Sequence, residues 1–185
     1  MPTPVESCHP TLGFYRQMEA ELLRAPLREA YRVASQGPAN YQTALDLAAQ
    51  ATEKLPADPV LLAYTHALGG VGALYTLVPL EQFMRVSAAL GALHTAVDTS
   101  PATPPEELEL RLIRASFCEQ LPVVFLAEGY VRQDAKRILS LLEAHVTALP
   151  PALTRLALDF LHQKVKLSFL DADRLAALRT KTHSG

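Results

Sequence analysis

Glu107, Arg111 and Arg114 stand at i, i+4 and i+7, and they carry the strongest chemical signal in the chain. Two guanidinium groups one helical turn apart present N–H forks that suit a carboxylate or a phosphate. The plainer reading of the same residues is a solvated Glu107–Arg111 ion pair, adding ~0.2–0.5 kcal/mol to a helix. Tyr64 and Tyr75 either anchor a ligand with ring and hydroxyl or fill the core with the hydroxyl satisfied, and the core is the plainer reading. The partner-binding set read from the sequence is therefore Arg111, Arg114, Tyr64 and Glu107.

No other group of residues assembles into a catalytic or metal-binding pattern. His94 and Asp98 at i, i+4 share a helix face, yet no third ligand and no HExxH accompany them, so a surface hydrogen bond explains the pair. His162 with Asp159 has the same status. His66 lies in an uncharged stretch and reads as a core histidine with a satisfied ring. Gly69-Gly70-Val71-Gly72 lacks the lysine and hydroxyl residue of a phosphate loop and reads as close or kinked helix packing. Cys8 and Cys118 show no ligand spacing, and Cys118, between Phe117 and Leu121, reads as a buried inert thiol. The expectation is a protein without enzymatic activity, cofactor or metal.

Composition bounds the elements that must position these side chains. The 185 residues hold 32 Leu and 28 Ala but only 14 Val and Ile together. That ratio speaks for helices and against sheets, because unbranched side chains lose little freedom in a helix and branched ones favour strands. Seventeen basic residues against nineteen acidic ones leave a net charge of -2 and no basic stripe, which disfavours nucleic acid as a partner. Isolated, reduced cysteines suit a cytoplasmic protein, and no secretory leader is apparent. Residues 59–80 contain no charge across 22 positions, the length of a membrane span. Thr65, His66 and three glycines argue instead for a helix buried in a folded domain, so no transmembrane span is expected.

Proline punctuates the chain. Residues 1–10 read as a flexible tail and 11–185 as one all-helical domain. Apolar periodicity predicts helices at 11–36 (broken near Pro26), 40–55, 59–77, 80–99, 104–121, 131–149, 151–168 and 171–181. Asp58-Pro59 and Thr103-Pro104-Pro105-Glu106 are helix starts with a capping side chain and a proline where its missing N–H is harmless. Asp171 can cap the last helix.

Three segments, 51–56, 96–101 and 145–150, each end a helix at a proline, at spacings of 45 and 49 residues. Paired helices at that period predict an α-solenoid of about three and a half antiparallel hairpins. Ala44, Ala51 and Pro56 keep a spacing that Ala89, Ala96 and Pro101 repeat, while Ile138, His145 and Pro150 stand there in the third unit. On these residues the chain resembles the tetratricopeptide repeat (TPR) family. The resemblance implies a right-handed superhelix whose first helices line a concave groove that holds a peptide or partner protein. The function expected is a non-catalytic interaction scaffold. The alternative is a helical small-ligand or lipid-binding protein at a membrane surface, motivated by the charge-poor segment 59–80. Sparse charge and a short last unit also lead to the expectation of a homodimer through a terminal helix pair.

Overall fold

The computed structural model describes residues 12–99, 101 and 103–183, and all regular structure among them is helical. The tail expected over 1–10, Cys8 included, lies outside the described residues. Eight α-helices follow in order: α1 (Leu12–Val33), α2 (Pro38–Lys54), α3 (Pro59–Val71), α4 (Pro79–Thr99), α5 (Pro104–Glu119), α6 (Glu128–His145), α7 (Pro151–Lys164) and α8 (Phe169–His183). Short 3-10 turns follow α1, α3 and α5 at Ala34–Gln36, Gly72–Tyr75 and Val123–Phe125. No described helix is long and apolar enough to cross a membrane.

The starts follow the local chemistry. The Asp58 carboxylate accepts the N–H groups of Val60 and Leu61, both at 3.0 Å, and Pro59 opens α3. The Thr103 hydroxyl accepts the N–H of Glu106 at the start of α5. At α8 the capping residue is Ser168 rather than Asp171: its hydroxyl accepts the Asp171 N–H and donates to the Asp171 carboxylate. The cap therefore lies three residues toward the N-terminus from the one expected at Asp171.

Two expected features differ. Pro26 does not divide α1, which runs unbroken through it. The proline frees the carbonyl of Leu22, four residues before it, but both residues are exposed, so water can take the unpaired oxygen. The third helix ends at Val71 rather than 77, where the glycine-rich run tightens into the 3-10 turn.

Most packing joins helices that are adjacent or next-but-one in the chain: each α-helix contacts its successor, and α1 with α3, α3 with α5, α5 with α7, and α6 with α8 also meet. Side chains of α1 also reach α5, Arg24 to Glu106 and Arg28 to Glu109. The core is correspondingly in two main parts. One gathers α1 to α4 around Leu27, Leu61, Leu68 and Leu93, with Leu110, Ile113 and Phe117 of α5. The other gathers α6 to α8 around Ile138, Leu142 and Leu153, with Leu108, Leu112 and Ala115 of α5. Helix α5 therefore buries two opposite stripes, and each fully buried leucine stabilises the fold by roughly 1.5–3 kcal/mol.

Close approach at α3 uses small residues. Ala63, Ala67 and Gly70 are all buried, and a Cβ on Gly70 would run into the Phe117 ring and the Ala89 methyl group. Gly69, beside it, faces open space. Gly70→Ala should therefore destabilise the protein by about 1–3 kcal/mol through overpacking. Gly69→Ala should stabilise it by up to ~1 kcal/mol through helix propensity. Urea unfolding of the two single variants checks the opposite signs.

Candidate functional site

Glu107, Arg111 and Arg114 do come together, but around an acid supplied by the chain itself. Asp134 of α6, 0% exposed, takes both Arg114 Nε (2.8 Å) and Nη2 (2.7 Å), and Arg111 Nη1 lies 3.0 Å away. Arg114 is only 2% exposed. Glu107 accepts Arg111 Nε at 2.9 Å and a two-pronged contact from Arg137 of α6 at 2.8 Å. Hydrogen bonds from Arg137 and then Arg111 hold the Glu107 carboxyl below its ordinary pKa, against its partial burial. The paired forks predicted to receive a partner's anion thus receive Asp134. Replacing Arg111 and Arg114 together would strand a buried carboxylate and would read out stability before partner capture.

His94 belongs to this cluster through its ring, which lies 4.0 Å from that of Tyr130, while the Arg114 guanidinium sits over Tyr130 at 5.5 Å. Burial and the nearby Arg114 cation lower the imidazole pKa, so the ring is neutral at pH 7. The His94–Asp98 surface bond expected from spacing gives way to this tilted ring contact. Burial also pushes the Cys118 thiol up to about 12, which keeps it unreactive, as its apolar neighbours implied.

Tyr64 is core. It is 2% exposed, and its hydroxyl donates to Glu109 Oε1 at 2.8 Å. Arg28 Nε of α1 donates to that same oxygen at 2.7 Å, and the rest of the Arg28 fork reaches Glu21. One turn earlier, Arg24 Nη2 meets Asp58 at 2.6 Å and Glu106 at 3.2 Å. Arg24, Arg28, Glu109 and Asp134 escape a reading by motif, because the groups that pair with them come from distant helices and spacing along the chain carries no signal of their burial. His66, read as a core histidine, is exposed on α3, and His162 and Asp159 are exposed on α7. Among the described residues, no three His, Cys, Asp or Glu side chains gather as metal ligands.

Several large apolar side chains are exposed around two of the connections. Leu77 in the α3–α4 connection is 97% exposed, and Val78, Leu80, Phe83 and Met84 follow it on the surface. The α5–α6 connection adds Val123 at 87%, Val124, and Leu126 at 80%. A Phe83–Phe125 stack, ring centroids 5.4 Å apart, joins the start of α4 to the α5–α6 connection. Val78, Leu80, Glu81, Met84, Arg85 and Ala88 line a shallow, open depression on the outer side of α4. A second cleft of about 520 Å³ between α1 and the α2–α3 turn holds Arg24, whose guanidinium already serves Asp58 and Glu106.

Leu126 is the sole non-glycine residue with positive φ among those described, at φ 51° and ψ 31°. The left-handed region costs a branched side chain about 1–2 kcal/mol, and glycine or asparagine normally stands there. An exposed leucine in that conformation gains nothing evident within the monomer.

Two measurements follow. Asp134→Ala should cost about 3–5 kcal/mol by leaving Arg114 buried and unpaired, while Arg32→Ala, in the exposed pair with Glu29, should cost under ~1 kcal/mol; denaturant unfolding of both resolves the difference. Leu126→Gly should leave the thermal midpoint unchanged or raised, since relief of strain offsets the ~0.5–1 kcal/mol of added chain entropy. A marked drop would mean that Leu126 is held by contacts within the monomer. In comparisons with known proteins, no family model, curated protein or solved structure matches this chain.

Proposed function

We propose that the protein is a non-catalytic interaction module, a TPR-like linear array of helical hairpins that offers a docking surface to a partner protein or peptide. Three arrangements support the array: odd-numbered helices meet in succession, the core is divided in series, and α5 is buried on both sides. In such an array each hairpin hides its apolar face on the next, and surfaces left uncovered are available to partners.

The observation that carries the functional reading is the apolar face formed by the α3–α4 and α5–α6 connections. Monomeric proteins seldom leave large contiguous apolar surface in water, and where they do it usually marks an interaction site. The docking surface moves accordingly from Arg111, Arg114, Tyr64 and Glu107, whose polar atoms are engaged within the fold, to this face. The shallow surface around Leu80 and Met84 is apolar, and Glu81 and Arg85 lie beside it as polar neighbours, an arrangement compatible with a protein interface.

The test is a pull-down from host extract, followed by calorimetry with the purified captured protein. Leu80→Glu with Met84→Glu should weaken binding by roughly thirtyfold or more, the scale of a lost hot spot, while the melting temperature stays put. Undiminished affinity in that variant would remove the face from the proposal.

A further inference from the structure

We infer that His94 is a proton-driven switch at the junction of α4, α5 and α6, independent of the docking role proposed above. Neutral, its ring packs against Tyr130 of α6. Protonated, it turns outward to the Asp98 carboxylate and releases the tyrosine. An atom without a partner is the first sign. His94 Nε2 is buried and makes no hydrogen bond, although the residue as a whole is half-buried. In the imidazolium both ring nitrogens carry a proton, so Nε2 would become a charged donor with no acceptor. Burying a charge unpaired costs far more than leaving a neutral nitrogen idle.

The neighbouring helices decide which charges the cation meets. From α5, the Arg114 guanidinium lies over the Tyr130 ring at 5.5 Å, and Cys118 one turn further is a neutral thiol. From α6, Asp134 is already committed to Arg114 and Arg111. On the other side of α4, Pro59–Val71 holds no charged residue, and its His66 is exposed. A proton taken up against Tyr130 therefore adds a cation beside Arg114. Asp98 offers the way out. It stands one turn beyond His94 on the same face of α4, with its side chain 72% exposed. Arg114 Nη1 lies 3.9 Å from it, beyond hydrogen-bonding distance, so the carboxylate is free to turn. An imidazolium four residues before it is within reach, and the C-terminal end of a helix favours a cation. Burial and then Arg114 lower the His94 pKa below the ordinary 6.5, with Asp98 and Asp134 opposing them.

Two ring contacts hold α4 to the start of α6: His94 with Tyr130, and Phe83 with Phe125 in the connection just before. Opening the first uncovers Tyr130 in the first turn of α6. The unfolded chain takes up the His94 proton more readily than the folded one. Stability is therefore full above 6.5 and falls as pH drops through 6.5 toward the folded pKa. Each unit between the two pKa values weakens folding about tenfold.

The experiment is a proton NMR titration of the full chain from about pH 7.5 to about 5.0, with urea unfolding across the same range, which brackets ordinary histidine titration. The His94 signals are assigned by their absence in His94→Phe. They should titrate below 6.5, and their nuclear Overhauser contacts with Tyr130 should vanish as the proton is taken up. His94→Phe keeps a ring against Tyr130 and should lose less stability on acidification than the original chain. Asp98→Asn removes the acceptor of the charged form, so the His94 midpoint should move lower while the Tyr130 contact at neutral pH persists. A midpoint at or above 6.5 overturns the inference, as does a Tyr130 contact that survives the titration. An acid-induced loss that His94→Phe leaves unchanged, or a midpoint that Asp98→Asn does not move, overturns it too. None of these readouts uses a partner, so their failure leaves the docking role standing.

Discussion

A carboxylate buried at Glu109 has to be met by donors from elsewhere in the chain, and the arrangement of the first five helices follows from how that is done. Arg28 of α1 and the Tyr64 hydroxyl of α3 converge on one oxygen of this α5 side chain. An unpaired charge in the interior is far more costly than a lost apolar contact, so the three helices are fixed in relative register. Arg24, joining the cap of α3 to the first turn of α5, repeats the device one turn away. Burial alone is indifferent to small slips between helices. Paired charges are not, because a shift of one residue separates donor from acceptor.

Helix α5 shows the consequence. With Leu110, Ile113 and Phe117 turned to one core and Leu108, Leu112 and Ala115 to the other, it has little surface left for solvent. Asp134 extends the same logic to α6, drawing Arg111 and Arg114 inward as Arg28 is drawn to Glu109. The polar residues that looked most suited to recognition are thereby committed to holding helices together. The large apolar side chains left most uncovered lie in the connections, where the helical backbone ends and Leu77 and Val123 stand clear of the packed layers.

The two kinds of surface differ in what they ask of the fold. The ionic clusters need the tertiary structure for their partners and cannot leave it without large cost. The apolar connections contribute little to the monomer: Leu126 adopts a strained backbone angle, and the 3-10 turn before it has no buried residue. A region that adds little to the folding free energy is free to be selected for association.

That the chain is helical, and where most of its helices begin, is legible in local residue chemistry alone. The Leu and Ala excess, Asp58-Pro59 and Thr103-Pro104-Pro105-Glu106 act over a few residues, and their effects hold whatever surrounds them. Gly70 and its small neighbours were legible for the same reason, as a stripe at helical spacing. Only the tertiary structure decided which charges are buried, since Arg114 becomes a core residue through Asp134, twenty positions away and on another helix. It likewise left His66 exposed, set the His94 ring against Tyr130 and let α1 run through Pro26. Each of these outcomes depends on which neighbour arrives from a distant part of the chain. Local spacing records the face on which a side chain lies, but not what will be packed against it.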